Sequence, residues 1–328
     1  MNTQNLYWPI YKKLEKEFLE LAEYIHFSDD QLDIYSMHIA DLIVRCAIEI
    51  EAISKELYCL LGGSTELTDS EGNPRDLYFD TDCLELLEQK WHLSKKQISV
   101  SAINIYFSEE KNQTIAPLRK ANKRGTSGSK WKQAYQAVKH DRKKSLKKAT
   151  IENLLYALGA LYILNLYYRD ERTDIGRVYL SDHIFDNHVG SDVFLAHYCS
   201  ATGLSMQLHL DDSCITPALG DELDKSIFII KYDEKSYKEM HKNYCWDNKK
   251  TTERFNNSPI IKKYLEEHPE QSGKTINEIC LAAGGFRLLQ QIIYLENSAA
   301  EKNLRMEAML NKHCGIYPEL FPLESSSE

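Results

Sequence analysis

Apolar residues recur at steps of three and four through most of the first half of the chain, and that spacing predicts helices packed side by side. Between residues 9 and 27 the stripe is Leu14, Phe18, Leu21 and Ile25, with Pro9 suited to a first turn. A longer stripe, Leu42, Ile43, Cys46, Ile50, Ile53, Leu57 and Leu61, spans residues 37 to 61. Ser36 stands where that helix needs an N-cap, and Gly62-Gly63 where it must stop. Residues 151 to 168 form the longest apolar run, interrupted by Glu152, Asn153 and Asn165. The run predicts a buried central helix capped by Thr150, not a membrane span.

Shorter features fill the gaps. Residues 64 to 76 are a polar loop with an Asn73-Pro74 breaker, and Asp80 or Thr81 is placed to cap a short helix through Leu93. Residues 98 to 107 alternate weakly, as a strand or an extended connector. Residues 117 to 128 are basic, then rich in Gly and Ser, and are expected to form a mobile loop. Residues 130 to 148 read as a helix ending near Arg142.

Beyond residue 172 the texture changes. Residues 193–198, 206–210 and 227–232 are short, β-prone apolar runs, which predict a small sheet of about three strands. Helices are expected over 236–244, 260–267 and 276–310, the last interrupted at Gly284-Gly285. The fold class is therefore mainly α, with a helical N-terminal part over residues 1–172 and a C-terminal α+β region of unknown role over residues 173–328. No internal repeat, P-loop or dinucleotide-type glycine pattern occurs.

Composition adds limits. With 328 residues, 43% hydrophobic and 27% charged, the chain has material for one large core or two modest ones. None of its eight cysteines forms a Cys-x-x-Cys pair, and the start is not a signal peptide. Reduced thiols and a cytoplasmic protein without a membrane partner are the expectation. No cofactor is implied. A metal site is not expected either, although Asp182, His183, Asp186 and His188 crowd one segment, and His209 lies near Cys214.

Charge changes the picture most. The formal net charge is −9, yet residues 119 to 148 hold twelve Lys or Arg against one acid, Asp141. Either this stretch is an anion-binding face on an acidic body, or it is a solvated face paired with acidic neighbours. Its centre is KWKQAYQAVKHDRKK, from Lys130 to Lys144. On a helix Trp131, Tyr135 and Lys139 share a face, and Trp131, Ala134 and Val138 turn inward.

Two segments, RCAIEIEAISKELY from Arg45 to Tyr58 and WKQAYQAVKHDR from Trp131 to Arg142, resemble the HEPN superfamily. That resemblance covers roughly residues 9 to 168. It implies that residues 1–172 are a HEPN-like four-helix bundle, of a kind found in toxin, abortive-infection and RNA-processing proteins, and that the chain forms a homodimer. For function it implies an RNA-binding or metal-independent RNA-cleaving effector of a bacterial defence or toxin type. His140 would act as acid or base, because its ordinary pKa lies near neutrality. Arg142 and Lys139 would contact phosphate, with Lys130, Lys132, Lys143 and Lys144 along the backbone. The pattern departs from the family at one point. Catalytic members carry an Arg separated from the His by four to six residues, where this chain has Gln133, Ala134 and Tyr135, and Gln136 replaces the usual Asn. The Arg role then falls to Arg142, to Arg45 on a facing helix, or to a partner chain.

A second reading stands beside this one. In a non-catalytic scaffold, His140 bonds Glu49, Lys139 and Arg142 pair with Glu49 or Glu51, Arg45 pairs with a carboxylate, and Trp131 and Tyr135 are core aromatics. The C-terminal region then binds a protein partner.

Overall fold

A computed structural model describes residues 6–177, 185–200, 217–297 and 304–312. The protein is mainly helical with small sheets. Its chain divides into two compact units, one of residues 1–173, 185–231 and 308–328, the other of residues 174–184 and 232–307. The helical region expected over 1–172 thus lies in the first unit, but residues 185–231 return to that unit as well.

In the first unit, helix α1 (Tyr7–Leu21) carries its apolar stripe inward through Tyr11, Leu14 and Phe18. Helix α2 (Met37–Leu60) starts where Ser36 Oγ accepts the Ile39 N–H at 3.1 Å. It ends where Gly62 takes a left-handed φ of 81° and its N–H closes on the Cys59 carbonyl. A π-helical turn, Phe79–Leu84, leads into α3 (Glu85–Trp91). After a single turn, α4 (Glu110–Gln113), come α5 (Lys130–His140) and α6 (Arg142–Ser145). Thr150 then caps α7 (Ile151–Arg169), accepting the Asn153 N–H at 3.3 Å.

Helix α7 is apolar around most of its circumference, and burial follows: it packs against α1, α2 and α5, while α2 also contacts α1 and α5. Gly159 sits where one strand comes closest, since a Cβ there would lie 2.7 Å from the Ile98 side chain.

Glu15 shows how a charged group is matched inside this core. Glu15, fully buried on α1, accepts from the Tyr11 hydroxyl at 2.6 Å, the Asp192 N–H at 3.0 Å and the Ser191 hydroxyl, with Lys12 on its other oxygen. These bonds tie α1 to the segment that returns from beyond residue 185. Strand Ile98–Val100 pairs antiparallel with both Thr114–Ile115 and Phe194–Ala196.

The sheet expected from three C-terminal runs is therefore redistributed. Phe194–Ala196 joins the strand at residue 98, because both strands present apolar residues to α7. Tyr198–Ser200 instead pairs in parallel with the strand Phe228–Tyr232. Residues 206–210 lie outside the described residues. Helix α8 (Pro217–Lys225) completes the described elements before that strand.

The second unit holds α9 (Glu234–Asn257), α10 (Pro259–Glu267) and α11 (Ile276–Ile292). Ile261, Ile279, Cys280, Leu288 and Ile292 form its small core. Thr275 and Glu278 cap α11 reciprocally, and the helix is broken at Gly285 as expected. It does not continue to residue 310. Arg305–Leu310 is a strand in which Met306, Ala308 and Leu310 alternate inward, a period of two that the helix-favouring composition masked.

Among the described residues no helix is long and apolar enough to cross a membrane. Cys46, Cys83 and Cys280 are buried free thiols. No group of three His, Cys, Asp or Glu among the described residues is arranged to hold a metal ion. Asp182, His183, His209 and Cys214 lie outside that set.

Candidate nucleic-acid interface

Helix α5 divides the basic stretch into an inner and an outer part. Trp131, Ala134, Tyr135 and Val138 face the core, as 3.6-residue periodicity requires. Trp131 is fully buried, and its indole N–H donates to the Pro117 carbonyl at 2.9 Å. Gln133 Nε2 donates to the Gly128 carbonyl at 2.8 Å. The loop over residues 117–128, expected to be mobile, is instead fastened to α5 by these bonds, with Leu118 and Ala121 buried beneath it.

Lys132 requires a correction. It is not available as an RNA contact, because its side chain is only 5% exposed. Its ammonium donates to Asp80 Oδ2 at 3.1 Å, to the Ala121 carbonyl at 2.8 Å and to the Lys123 carbonyl. Three acceptors match three N–H bonds, so the ammonium is saturated. Burial pulls the Lys132 pKa down, and Asp80 only partly opposes this. Burial would also raise the Asp80 pKa, but Lys132, the Thr81 N–H and Arg124 outweigh it and hold that carboxyl below its ordinary value. Arg124 reaches Asp80 at 2.9 Å and stacks over the Tyr78 ring, 3.8 Å from its centroid. Around this pair lies a cleft of about 590 Å³ whose walls include Glu51, Lys55, Tyr78 and Gln136.

Arg45 takes one of its two expected places, a pair with a carboxylate. Its guanidinium is bidentate to Glu17 of α1, at 2.5 and 2.9 Å, with Asp41 at 3.8 Å. Glu17 is correspondingly held below its ordinary pKa by that contact. Arg45 therefore joins α1 to α2. Glu49, one turn along, lies on the same side of α2, and burial raises its pKa. It makes no hydrogen bond to His140. From α2, Glu51 meets α5, accepting the Tyr135 hydroxyl at 3.2 Å.

The outer part begins at the end of α5. Lys139 is exposed, donates to the Tyr135 hydroxyl at 3.2 Å, and lies 5.3 Å from that ring's centroid. Tyr135 in turn holds the Lys139 pKa up. His140 is exposed, the last residue of α5. Asp141 leaves helical geometry (φ −147°, ψ 80°) and caps α6 by accepting the Lys144 N–H at 3.1 Å. Its carboxylate also meets Lys144 Nζ at 3.3 Å. Arg142 is half-exposed, and Lys143, Lys147 and Lys148 are exposed. None of these four, nor His140, has an ion-pair or hydrogen-bond partner through its side chain among the described residues. Lys130, at the start of α5, is exposed and faces Glu152 at 3.5 Å.

The structure thus brings Lys139, His140, Arg142, Lys143 and Lys144 onto one outward segment and sends Lys132 and Arg45 into internal pairs. Asp80 and Arg124 are the partners that sequence reasoning missed. By its local sequence Asp80 reads as a helix cap, but neither the turn Phe79–Leu84 nor α3 has a side-chain cap, and nothing local marks its contact with residue 132. Protein-family models, curated proteins and solved structures give no match to the chain.

Proposed function

We propose that the chain is an RNA-binding protein in which residues 139–148 hold the phosphate backbone of a single strand. One observation carries this reading: seven basic side chains, Lys139, His140, Arg142, Lys143, Lys144, Lys147 and Lys148, project outward around the single carboxylate of Asp141. A segment with a large positive excess on a chain of formal charge −9 is the electrostatic footprint of a polyanion partner. Mutual packing of α1, α2, α5 and α7 agrees with a HEPN-like bundle as the scaffold. In this reading the protein works in the cytoplasm as a homodimer, within a bacterial defence or toxin system.

RNA cleavage is a second reading, favoured by the unengaged imidazole of His140 two residues from the unengaged Arg142. Metal-independent cleavage needs a base for the 2′-hydroxyl, an acid for the leaving oxygen and a cation on the phosphorane. One chain presents one such imidazole here, so a second copy would supply the other group.

Fluorescence anisotropy with a labelled single-stranded RNA tests binding. Replacing Lys143, Lys144, Lys147 and Lys148 with Gln is expected to weaken binding by about 100-fold at low salt. Equal affinity of the variant and wild type would remove the proposal. Cleavage is tested separately by His140→Ala, which must abolish any RNA degradation that wild type shows.

A further inference from the structure

A second cleft, of about 710 Å³, lies at the opposite end of α5. Its walls include Arg119, Lys120, Ser129, Lys130, Glu152 and Tyr156. Glu152 is the one carboxylate there, and it faces Lys130. Arg119 and Lys120, both exposed, have no carboxylate partner among the described residues. The cleft therefore keeps a positive excess.

Helix α5 starts in this wall. Its N-cap, Ser129, makes no side-chain capping bond. The residue is 8% exposed, and its buried hydroxyl has no hydrogen-bond partner. First-turn N–H groups have no acceptor inside a helix, and the helix dipole is positive at this end. An anion satisfies all of these groups together. Lys120 is fixed beside them: it takes a left-handed φ of 61°, and its carbonyl accepts the N–H groups of Lys123 and Ser129, each at 3.2 Å. The cleft also borders the basic segment, since Asn153 in its wall donates to the Lys148 carbonyl at 2.8 Å.

We propose that this cleft seats a phosphate monoester of a nucleotide, with Arg119, Lys120, the Ser129 hydroxyl and the first turn of α5 on the phosphate and Tyr156 against the adjoining base. A monoester carries a charge of about −1.5 to −2 and three strong acceptor oxygens. Two unneutralised cations, a hydroxyl and free N–H groups match that better than a singly charged diester. The monoester comes either from the phosphorylated end of an RNA strand or from a free nucleotide. The strand-end form rests on the RNA reading above; the chemistry of the cleft does not.

Calorimetric titration of the full chain with adenosine 5′-monophosphate and with adenosine tests the cleft directly. The phosphate form should bind at least about tenfold more tightly, and Arg119→Ala/Lys120→Ala should remove the difference. Both side chains are exposed, so thermal melting of the double variant should match wild type. The source is read from one oligoribonucleotide with terminal monophosphate or terminal hydroxyl. A tenfold preference for the phosphorylated end, lost in the double variant, assigns the site to strand ends. Nucleotide binding without that preference assigns it to free nucleotides. The proposal is overturned if wild type distinguishes neither monophosphate from adenosine nor phosphate from hydroxyl ends. The variant with Lys143, Lys144, Lys147 and Lys148 replaced should keep nucleotide binding, which separates failure of the RNA reading from failure of this one.

Discussion

Lys132 and Lys139 lie on the same helix, two turns apart, in opposite surroundings. Around Lys132 the charge is internal: Asp80 and two carbonyls take up the ammonium, and the Phe79 ring centroid lies 5.7 Å from it. From Lys139 onward the charge is external, with Asp141 inside the segment and Glu51 near Lys139 to offset six Lys and Arg. One basic run in the sequence thus contains a structural charge and a surface charge. Charge density in a sequence reports neither role by itself. The position of the nearest carboxylate in space separates them.

The inner region should break the fold when altered. Trp131→Ala removes a fully buried indole and its bond to Pro117, and is expected to cost about 3–5 kcal/mol in denaturant unfolding. Lys132→Met leaves Asp80 buried with Arg124 as its one remaining ion-pair partner, and is expected to cost about 3 kcal/mol. Adding Asp80→Asn should recover much of that loss. A double variant no more stable than Lys132→Met would show that the two side chains are not a pair.

The outer region should behave in the opposite way. Replacing Lys143, Lys144, Lys147 and Lys148 with Gln is expected to change unfolding free energy by no more than about 0.5 kcal/mol while RNA affinity falls. A large loss of stability in this variant would erase the distinction between the two regions.

Acid titration sharpens it further. The folded Asp80 pKa lies below its ordinary value, so its contribution is present above about pH 4 and is lost as pH falls through the lower folded value. Melting from pH 7 to pH 3 should therefore show a shallower acid decline in Asp80→Asn than in wild type. A small effect, on stability alone, is expected from Arg45→Ala. Its side chain is 33% exposed and that of its partner Glu17 20%, which limits the cost to about 1 kcal/mol or less, with RNA affinity unchanged.

Local chemistry was legible in the sequence. Ser36 and Thr150 cap the helices they precede, Gly62 ends α2, and Trp131, Ala134 and Val138 turn inward, because each depends on residues within a turn or two. Contacts set by distant partners were not. Lys132 meets Asp80, Glu15 meets Ser191 from far along the chain, and Arg45 meets Glu17 on another helix. The loop at 117–128 looks mobile by composition, yet α5 supplies the bonds that fix it. Arg305–Leu310 has helix-favouring residues, and its pairing in a sheet overrides them.

Salt dependence of RNA binding tests the central claim most directly. For a single strand, each lysine that holds a phosphate contributes about −0.7 to the slope of log K against log salt. Relative to wild type, the four-lysine variant should have a slope shallower by about 3, and Lys132→Met, where folded, should keep the wild-type slope. A four-lysine variant with the wild-type slope would mean that residues 139–148 do not meet the phosphate chain.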